Sequence, residues 1–248
     1  MSADEAPGMH GKLPSHGDFI TRRLPRDFLD TWDDWLQRLI ATSKTELGER
    51  WLDTYLTSPI WSFVLSAGVC GPARWAGVLM PSVDRVGRYF PLTLATRVSG
   101  CAPLETVTAA GDWFERAREV ALSCLEEAEF ELDAFDAAVA GLGTLGSVPA
   151  HDEWRLPAGA SSERGLCVPL VQPAEPTSAL VSLAHCLVER MFGQYSVWWS
   201  EGSEQVAPSM LMTGGLPSAS ACTALLDGRF TPDHWVALAP ATATDGGV

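Results

Sequence analysis

The sequence is short of positive charge. Lysine and arginine together number 17 against 31 aspartate and glutamate residues, so the formal net charge is −14 at pH 7. Proteins that bind nucleic acids or anionic membrane surfaces need a basic footprint. The charge balance therefore argues against both of these partners, and an acidic surface instead suits a basic protein partner.

Secretion signals and long apolar runs are also missing. The N-terminal stretch MSADEAPGMHGKLP has no basic segment followed by an apolar one, so we expect no signal peptide. No apolar run approaches the roughly 20 residues that cross a bilayer. These absences predict a cytoplasmic protein without membrane insertion.

Metal-binding and disulfide patterns are absent as well. The six cysteines form no C-x-x-C pair, and most of them lie in apolar contexts typical of buried, reduced thiols. The five histidines show no i, i+4 pair and no H-E-x-x-H context. We read His185, which lies inside an apolar helix, as a core or interface residue. The sequence predicts neither a structural metal nor a cofactor.

The sequence does contain enough apolar residues to form a large hydrophobic core. It is 46% hydrophobic and includes ten tryptophans, each of which needs burial and a partner for its indole N–H. The most regular amphipathic helix covers residues 28–43. Its apolar stripe is formed by Phe28, Trp32, Trp35 and Leu39, at i, i+4, i+7 and i+11.

A β-hairpin is predicted at residues 76–95. Two apolar runs, 76–80 and 89–95, are joined by a linker of proline, glycine and charged residues. Neither run alternates with polar residues, so both faces of the hairpin should be covered, as in the centre of a sheet. Helices are also expected at residues 47–56, 104–128, 132–142, 177–192 and 218–226, and strands at 60–66, 166–171, 196–200 and 210–213.

Interleaved helices and strands favour the α/β class. We expect a single-domain three-layer αβα sandwich with a mixed central sheet at residues 10–238. Residues 1–9 are interpreted as a flexible lead and residues 239–248 as a flexible tail. Residues 141–165 are rich in Gly, Ser and Pro, which indicates a long loop.

Two polar loops carry the candidate site residues. The first, residues 12–18, holds Lys12, Ser15, His16 and Asp18. A Ser-His-Asp triad is conceivable, but triads assemble from separated segments, whereas Asp and Ser in a Pro/Gly loop serve turns. We favour the turn and predict no catalytic residues.

The second loop, residues 84–88, holds Asp84, Arg85 and Arg88 around a glycine. The guanidinium groups of Arg85 and Arg88 can bind an anion. Alternatively, an Asp–Arg ion pair can hold the hairpin turn together, and the sequence does not decide which of the two roles Arg88 has. Asp18 and Arg88 can also pair and hold the two loops together. Gly214-Gly215 lacks the spacing of a phosphate-binding loop, so a turn is favoured there.

Three sequence segments resemble those of a known family, as does the Trp32-Asp-Asp-Trp35 helix between the first two. They are GKLPSHGDFI at 11–20, YLTSPIWSF at 55–63 and GVLMPSVDRVGRYFPLT at 77–93. Over about residues 9–98 the chain resembles the TagF (ImpM) family of type VI secretion-associated proteins. The resemblance implies an αβα sandwich and a cytoplasmic, non-catalytic accessory protein that represses secretion post-translationally. It also implies a partner, the forkhead-associated-domain scaffold protein of the apparatus.

Two hypotheses about function therefore remain. In the first, the chain is a regulatory binding module whose partner-facing surface includes Lys12, Ser15, His16, Asp18, Asp84, Arg85 and Arg88. In the second, it is a small hydrolase or phosphate-handling enzyme that uses the same two loops. The second requires the loops to meet in a concave pocket with a strongly perturbed pKa.

Overall fold

The structure, a computed structural model, describes residues 6–126, 130–145 and 176–238. In these ranges one seven-stranded sheet has helices on both faces. The strands are β1 (Gly8–Gly11), β2 (Ile20–Arg22), β3 (Trp61–Leu65), β4 (Arg74–Met80), β5 (Leu92–Val98), β6 (Tyr195–Ser200) and β7 (Ser209–Gly214). The helices are α1 (Arg26–Leu47), α2 (Trp51–Leu56), α3 (Pro103–Ala109), α4 (Gly111–Glu126), α5 (Leu132–Gly141), α6 (Pro176–Phe192), α7 (Ala219–Cys222) and α8 (Ala224–Asp227).

The predicted hairpin lies at the centre of the sheet. The strand order is β2-β1-β5-β4-β3-β6-β7, and β4 pairs with β5 so that Leu79 lies opposite Thr93. The α/β sandwich is confirmed, but the expected mixture of strand directions is not found. All six pairings between the described strands are antiparallel. The neighbours β3, β4 and β5 follow one another through connections without a crossover helix, and such connections reverse the chain.

Helix α1 covers one face of the sheet and confirms the predicted amphipathic helix. The Trp32 ring lies 4.6 Å from that of Phe63 on β3 and is stacked 5.9 Å from that of Trp198 on β6, measured between centroids. All four residues of the predicted stripe are buried: Phe28, Trp32, Trp35 and Leu39. The helix ends at Gly48, whose φ of 55° is unfavourable for residues with a Cβ.

Hydrogen bonds from the tryptophans tie the layers together. The Trp32 indole N–H donates to Thr93 Oγ1 at 2.9 Å, which joins α1 to β5. The Trp61 indole N–H donates to the Leu225 carbonyl at 2.8 Å, which joins β3 to α8. Trp75 is the exception, because its buried indole N–H has no partner among the described residues.

The opposite face is covered by helices from the middle of the chain, including α3, α4 and α5. The single helix predicted over residues 104–128 is in fact two helices, since the backbone at Ala110 turns to φ −112° and ψ 25°. Gly111 follows at once, and glycine is a poor helix former. Residues 127–128 lie outside the described ranges.

The N-terminal boundary also differs from the prediction. Gly8 and Met9, expected within a flexible lead, belong to β1 and lie opposite Ala95 and Leu94. A side chain at position 8 would place its Cβ 2.4 Å from the Arg22 carbonyl oxygen, so glycine permits this close pairing. Helix α5 ends at Gly141. The rest of the expected loop beyond residue 145, the strand expected at 166–171 and the tail at 239–248 lie outside the described residues.

Five of the six cysteines fall within the described ranges, and all five are buried: Cys70, Cys101, Cys124, Cys186 and Cys222. Burial raises the pKa of the Cys70 thiol to about 12, so this thiol is protonated at neutral pH. Among the described residues, no group of three or more His, Cys, Asp and Glu is placed to hold a metal ion. In the same part of the chain, no helix combines the length and the apolar character needed to cross a membrane.

Candidate functional site

The two polar loops lie together at one end of the sheet. Residues 12–19 connect β1 to β2, and residues 81–91 connect β4 to β5. Because β1 pairs with β5, the end of β1 lies beside the start of β5. The backbone joins the loops directly, since the Arg85 N–H donates to the His16 carbonyl at 3.0 Å.

A buried ion pair links the loops from beneath. Lys12 Nζ donates to Asp84 Oδ2, and the two residues are only 4% and 3% exposed. The other carboxylate oxygen, Asp84 Oδ1, accepts the backbone N–H groups of Val86 at 3.0 Å and Arg88 at 2.8 Å. One carboxylate therefore closes its own turn and anchors the neighbouring loop.

The charge state of Asp84 follows from two opposing effects. Burial by itself raises the pKa of the carboxyl group, but hydrogen bonds from Lys12, Arg88 and two backbone N–H groups outweigh it. Together they hold the pKa of Asp84 well below its usual range. Asp84 is thus a fixed anion with its acceptor positions occupied, and not a group poised to exchange protons.

Arg88 adds a second ion pair to Asp84 and a second link between the two loops. Its Nε lies 2.7 Å from Asp84 Oδ2, and its terminal nitrogen donates to the Gly17 carbonyl, which is in the other loop. Of the alternatives that the sequence allowed, the structure contains the turn held by an Asp84–Arg88 ion pair. Arg88 therefore pairs with Asp84 and not with Asp18, which is exposed.

Several exposed side chains belong to the two loops that Lys12, Asp84 and Arg88 hold together. Val86 is 66% exposed and Phe19 is 49% exposed, with the Phe19 ring packed edge-on against Phe90 at 4.8 Å. The Arg85 side chain is exposed, and no described residue pairs with its guanidinium group. We call the side chains of His16, Asp18, Phe19, Arg85, Val86 and Arg88 the loop surface.

Ser15 and His16 form a local hydrogen bond. Ser15 Oγ lies 2.8 Å from His16 Nδ1, while the His16 ring packs edge-on against Phe130 at 6.2 Å. Within the described residues, no carboxylate is hydrogen-bonded to the His16 ring, so the third member of a triad is not in place there. A cavity of about 440 Å³ lies elsewhere, lined by residues that include Arg118 and Glu201.

Of the seven residues predicted to face a partner, the structure places Lys12 and Asp84 in the interior. They support the loops, whereas Asp18, Arg85 and Arg88 are exposed and Ser15 and His16 are half-buried. The sequence analysis did not predict the Lys12–Asp84 ion pair. The sequence feature that could have indicated a buried lysine is the position of Lys12 between Gly11 and Leu13 at the end of a strand.

A second support was also missed. The Tyr55 hydroxyl donates to the Ser82 carbonyl at 2.9 Å and accepts the Ser82 backbone N–H at 2.9 Å. The Ser82 hydroxyl in turn donates to the Lys12 carbonyl at 2.7 Å. This chain of bonds pins the base of both loops to helix α2, and no local sequence pattern reports it.

Comparisons with known proteins give the family. The crystal structure of PA0076 from Pseudomonas aeruginosa PAO1, at 2.05 Å resolution, is similar to this chain with a TM-score of 0.77 and 36% sequence identity. The similarity covers 95% of this chain and 99% of that one. No curated protein matches the chain. The family model of the TagF N-terminal domain, type VI secretion system-associated, matches residues 8–142. The chain therefore belongs to the TagF family of type VI secretion system-associated proteins.

Proposed function

We propose that this protein is a cytoplasmic, non-catalytic regulator that represses type VI secretion post-translationally by binding the forkhead-associated-domain scaffold of the apparatus. Family membership supports a role in type VI secretion. The observation that carries the binding mode is the buried Lys12–Asp84 pair, which holds two loops distant in sequence as one surface.

The proposal follows from how binding energy is obtained. Ordering a loop at the moment of association costs free energy, so a surface that is already rigid binds more tightly. Arginine is enriched at binding hot spots because its planar guanidinium forks onto carboxylates and stacks on aromatic rings. Arg85 offers such a group beside the exposed Val86. These are the features of a docking surface on a rigid scaffold.

Binding rather than turnover fits the chemistry of the loops. Asp84 is ionised and fully engaged, and a general base needs a pKa near the working pH. The Ser15–His16 bond joins adjacent residues of one turn. Nucleophile and base in known triads instead come from separate segments.

The experiment uses cells that carry the type VI secretion cluster. The wild-type chain, supplied from a plasmid, should co-purify with the scaffold and reduce type VI secretion. Arg85→Glu should lose both effects while remaining folded, because the Arg85 side chain is exposed and no described residue pairs with its guanidinium group. Arg97→Glu is the control for charge reversal, since Arg97 is exposed at the opposite end of the same hairpin, where its guanidinium lies 5.5 Å from the Trp75 ring centroid. The Tm of both variants is measured, because this control removes that cation–π contact.

Two results would count against the proposal. One is a wild-type chain that leaves secretion unchanged and fails to co-purify with the scaffold. The other is an Arg85→Glu chain that behaves in both assays as Arg97→Glu does.

A further inference from the structure

The β7 edge of the sheet is long and uncharged, and its outer side pairs with no described strand. All six residues of β7, Ser209–Gly214, pair with β6 in a ladder without a bulge, and none of them is charged or a proline. The opposite edge, β2, has only three residues, carries the exposed Arg22 and is followed by Arg23, where φ is 56°. Proteins normally protect edge strands by shortness, charge, proline or a bulge, so β7 is open to pairing with another strand.

Helix α6 lies beside this edge. It packs next to α3 and against β6, where His185 Nδ1 lies 2.6 Å from the Tyr195 hydroxyl oxygen. The end of α6 also adjoins the end of β7, because a Cβ at Gly214 would lie 3.6 Å from the Phe192 carbonyl oxygen. The helix and the edge strand therefore form one side of the molecule.

The outer face of α6 is apolar and exposed. Leu180, Leu187 and Met191, which are seven and four residues apart, share one side of the helix and are 63%, 49% and 76% exposed. Ser182 and Cys186 lie on the other side and are buried, and the Ser182 hydroxyl bonds to α3. The apolar stripe therefore points away from α3, on the side of the β7 edge.

The edge strand adds apolar side chains to the same face. Leu211 belongs to the core beneath α1, and successive side chains of a strand alternate, so Met210 and Met212 face the α6 side. Met210 is 56% exposed. A standard interface buries about 800 Å² of each partner, which one strand edge supplies only in part. The name β7 surface is used below for strand β7 together with Leu180, Leu187 and Met191.

We propose that the β7 surface binds a second copy of this chain, with the two β7 strands antiparallel about a two-fold axis. Such a two-fold axis keeps both α6 helices on the same face of the joined sheet, so the two apolar stripes flank the axis. A single added peptide strand would cover β7 but leave the α6 stripe exposed, whereas a second copy brings a matching stripe to the same face.

The charge distribution also favours a second copy at this place. Two chains that each carry a net charge of −14 repel each other, so a stable contact between them needs a surface with little charge. Strand β7 has none, and α6 carries one acidic and one basic residue, Glu189 and Arg190. The inference does not depend on the proposed function.

The test is sedimentation velocity of the full chain at concentrations of roughly 1–200 μM, where weak interfaces associate. We expect a reversible shift from the chain mass of 26.7 kDa to twice that mass. Met210→Lys and Leu187→Glu place charge in the interface and should each weaken dimerisation by roughly tenfold or more. Leu56→Lys is the matched control, because it changes a 51% exposed apolar residue on α2, and it should dimerise as the wild type does. Circular dichroism verifies that each variant is folded.

Hydrogen exchange at low and high protein concentration locates the contact. The backbone amides of β7 should exchange more slowly at high concentration, while those of β2 should not change. Added NaCl should tighten the dimer, since it screens the repulsion between two acidic chains.

Four results would overturn the inference. The first is a monomer at every concentration, which is expected if residues 146–175 of the same chain or a strand of another protein occupies β7 instead. The second is a dimer whose β7 amides exchange at the same rate at both concentrations. The third is equal dimerisation of Met210→Lys, Leu187→Glu and Leu56→Lys, and the fourth is a dimer that dissociates as salt is added, because ion pairs would then hold it.

Discussion

Lys12 and Asp84, separated by 72 residues in the chain, form an ion pair with both side chains buried beneath the loop surface. A buried charge is costly unless it is paired, so each residue makes the other necessary. The pair converts two flexible connections into one rigid support. The stability of the fold and the shape of the loop surface are therefore coupled.

Removing Lys12 should destabilise the protein strongly. Lys12→Met keeps much of the side-chain volume but leaves the Asp84 carboxylate buried with only Arg88 as a charged partner. The matched control is Arg38→Met, which breaks the surface pair of Arg38 with Asp34, whose side chains are 60% and 64% exposed. Exposed pairs of this kind contribute about 0.5 kcal/mol or less. Denaturant unfolding should show a several-fold larger loss for Lys12→Met, and equal losses would contradict the account.

Asp84 should make the free energy of unfolding depend on pH in the acid range. Its folded-state pKa is depressed, so its contribution is fully present above the unfolded-state pKa of about 3.9 and is lost as the pH falls through the folded value. Denaturant unfolding of the wild type and of Asp84→Asn, measured from neutral pH downward, checks this. The difference between them should be constant above about pH 5 and shrink below about pH 4. A difference independent of pH would assign the effect to something other than the carboxylate charge.

Trp35 should be one of the costliest core residues to truncate. It is 4% exposed, its ring lies 5.3 Å from that of Trp198, and its indole N–H donates to the Pro217 carbonyl at 2.8 Å. Trp35→Ala should lower the free energy of unfolding by about 3–5 kcal/mol. Leu56→Ala, at a site 51% exposed, should change it by about 0.5 kcal/mol or less. Chemical denaturation of both variants measures the contrast, and a cost below about 1 kcal/mol for Trp35→Ala would place this helix face outside the core.

Gly11, at the end of β1, should not tolerate a side chain. Its φ is +138°, and a Cβ there would lie 2.1 Å from the Pro91 carbonyl oxygen, which is fixed backbone. Gly11→Ala should destabilise the protein by more than about 2 kcal/mol and disturb both loops. Gly17→Ala, where a Cβ meets nothing within 4 Å, should leave the stability unchanged or raise it by up to about 1 kcal/mol. Thermal unfolding distinguishes them, and equal Tm values would contradict the close packing of β1 on the second loop.

The sequence was sufficient wherever a local pattern determined the structure. The stripe of Phe28, Trp32, Trp35 and Leu39 identified α1, because helical periodicity marks the buried face directly. The continuous apolar runs identified β4 and β5 as central strands, because strands covered on both faces need no alternation. The break between α3 and α4 was missed, since the apolar pattern continues across Ala110 while the backbone does not.

The candidate site depended on contacts that are not local. Both polar loops were found from their residue types, yet which charges pair is set by the register of β1 against β5. That register brings Lys12 to Asp84 and leaves Asp18 exposed, a result that composition cannot supply.

The central claim is that the loop surface binds the forkhead-associated-domain scaffold through a preorganised guanidinium group. The most direct test is the affinity of the purified scaffold for the wild type, Arg85→Ala and Arg97→Ala, with the Tm of each variant measured alongside. The account predicts that Arg85→Ala weakens binding by roughly tenfold or more with an unchanged Tm, while Arg97→Ala binds as the wild type does. Equal affinity of all three proteins, or no measurable binding of the wild type, would contradict it.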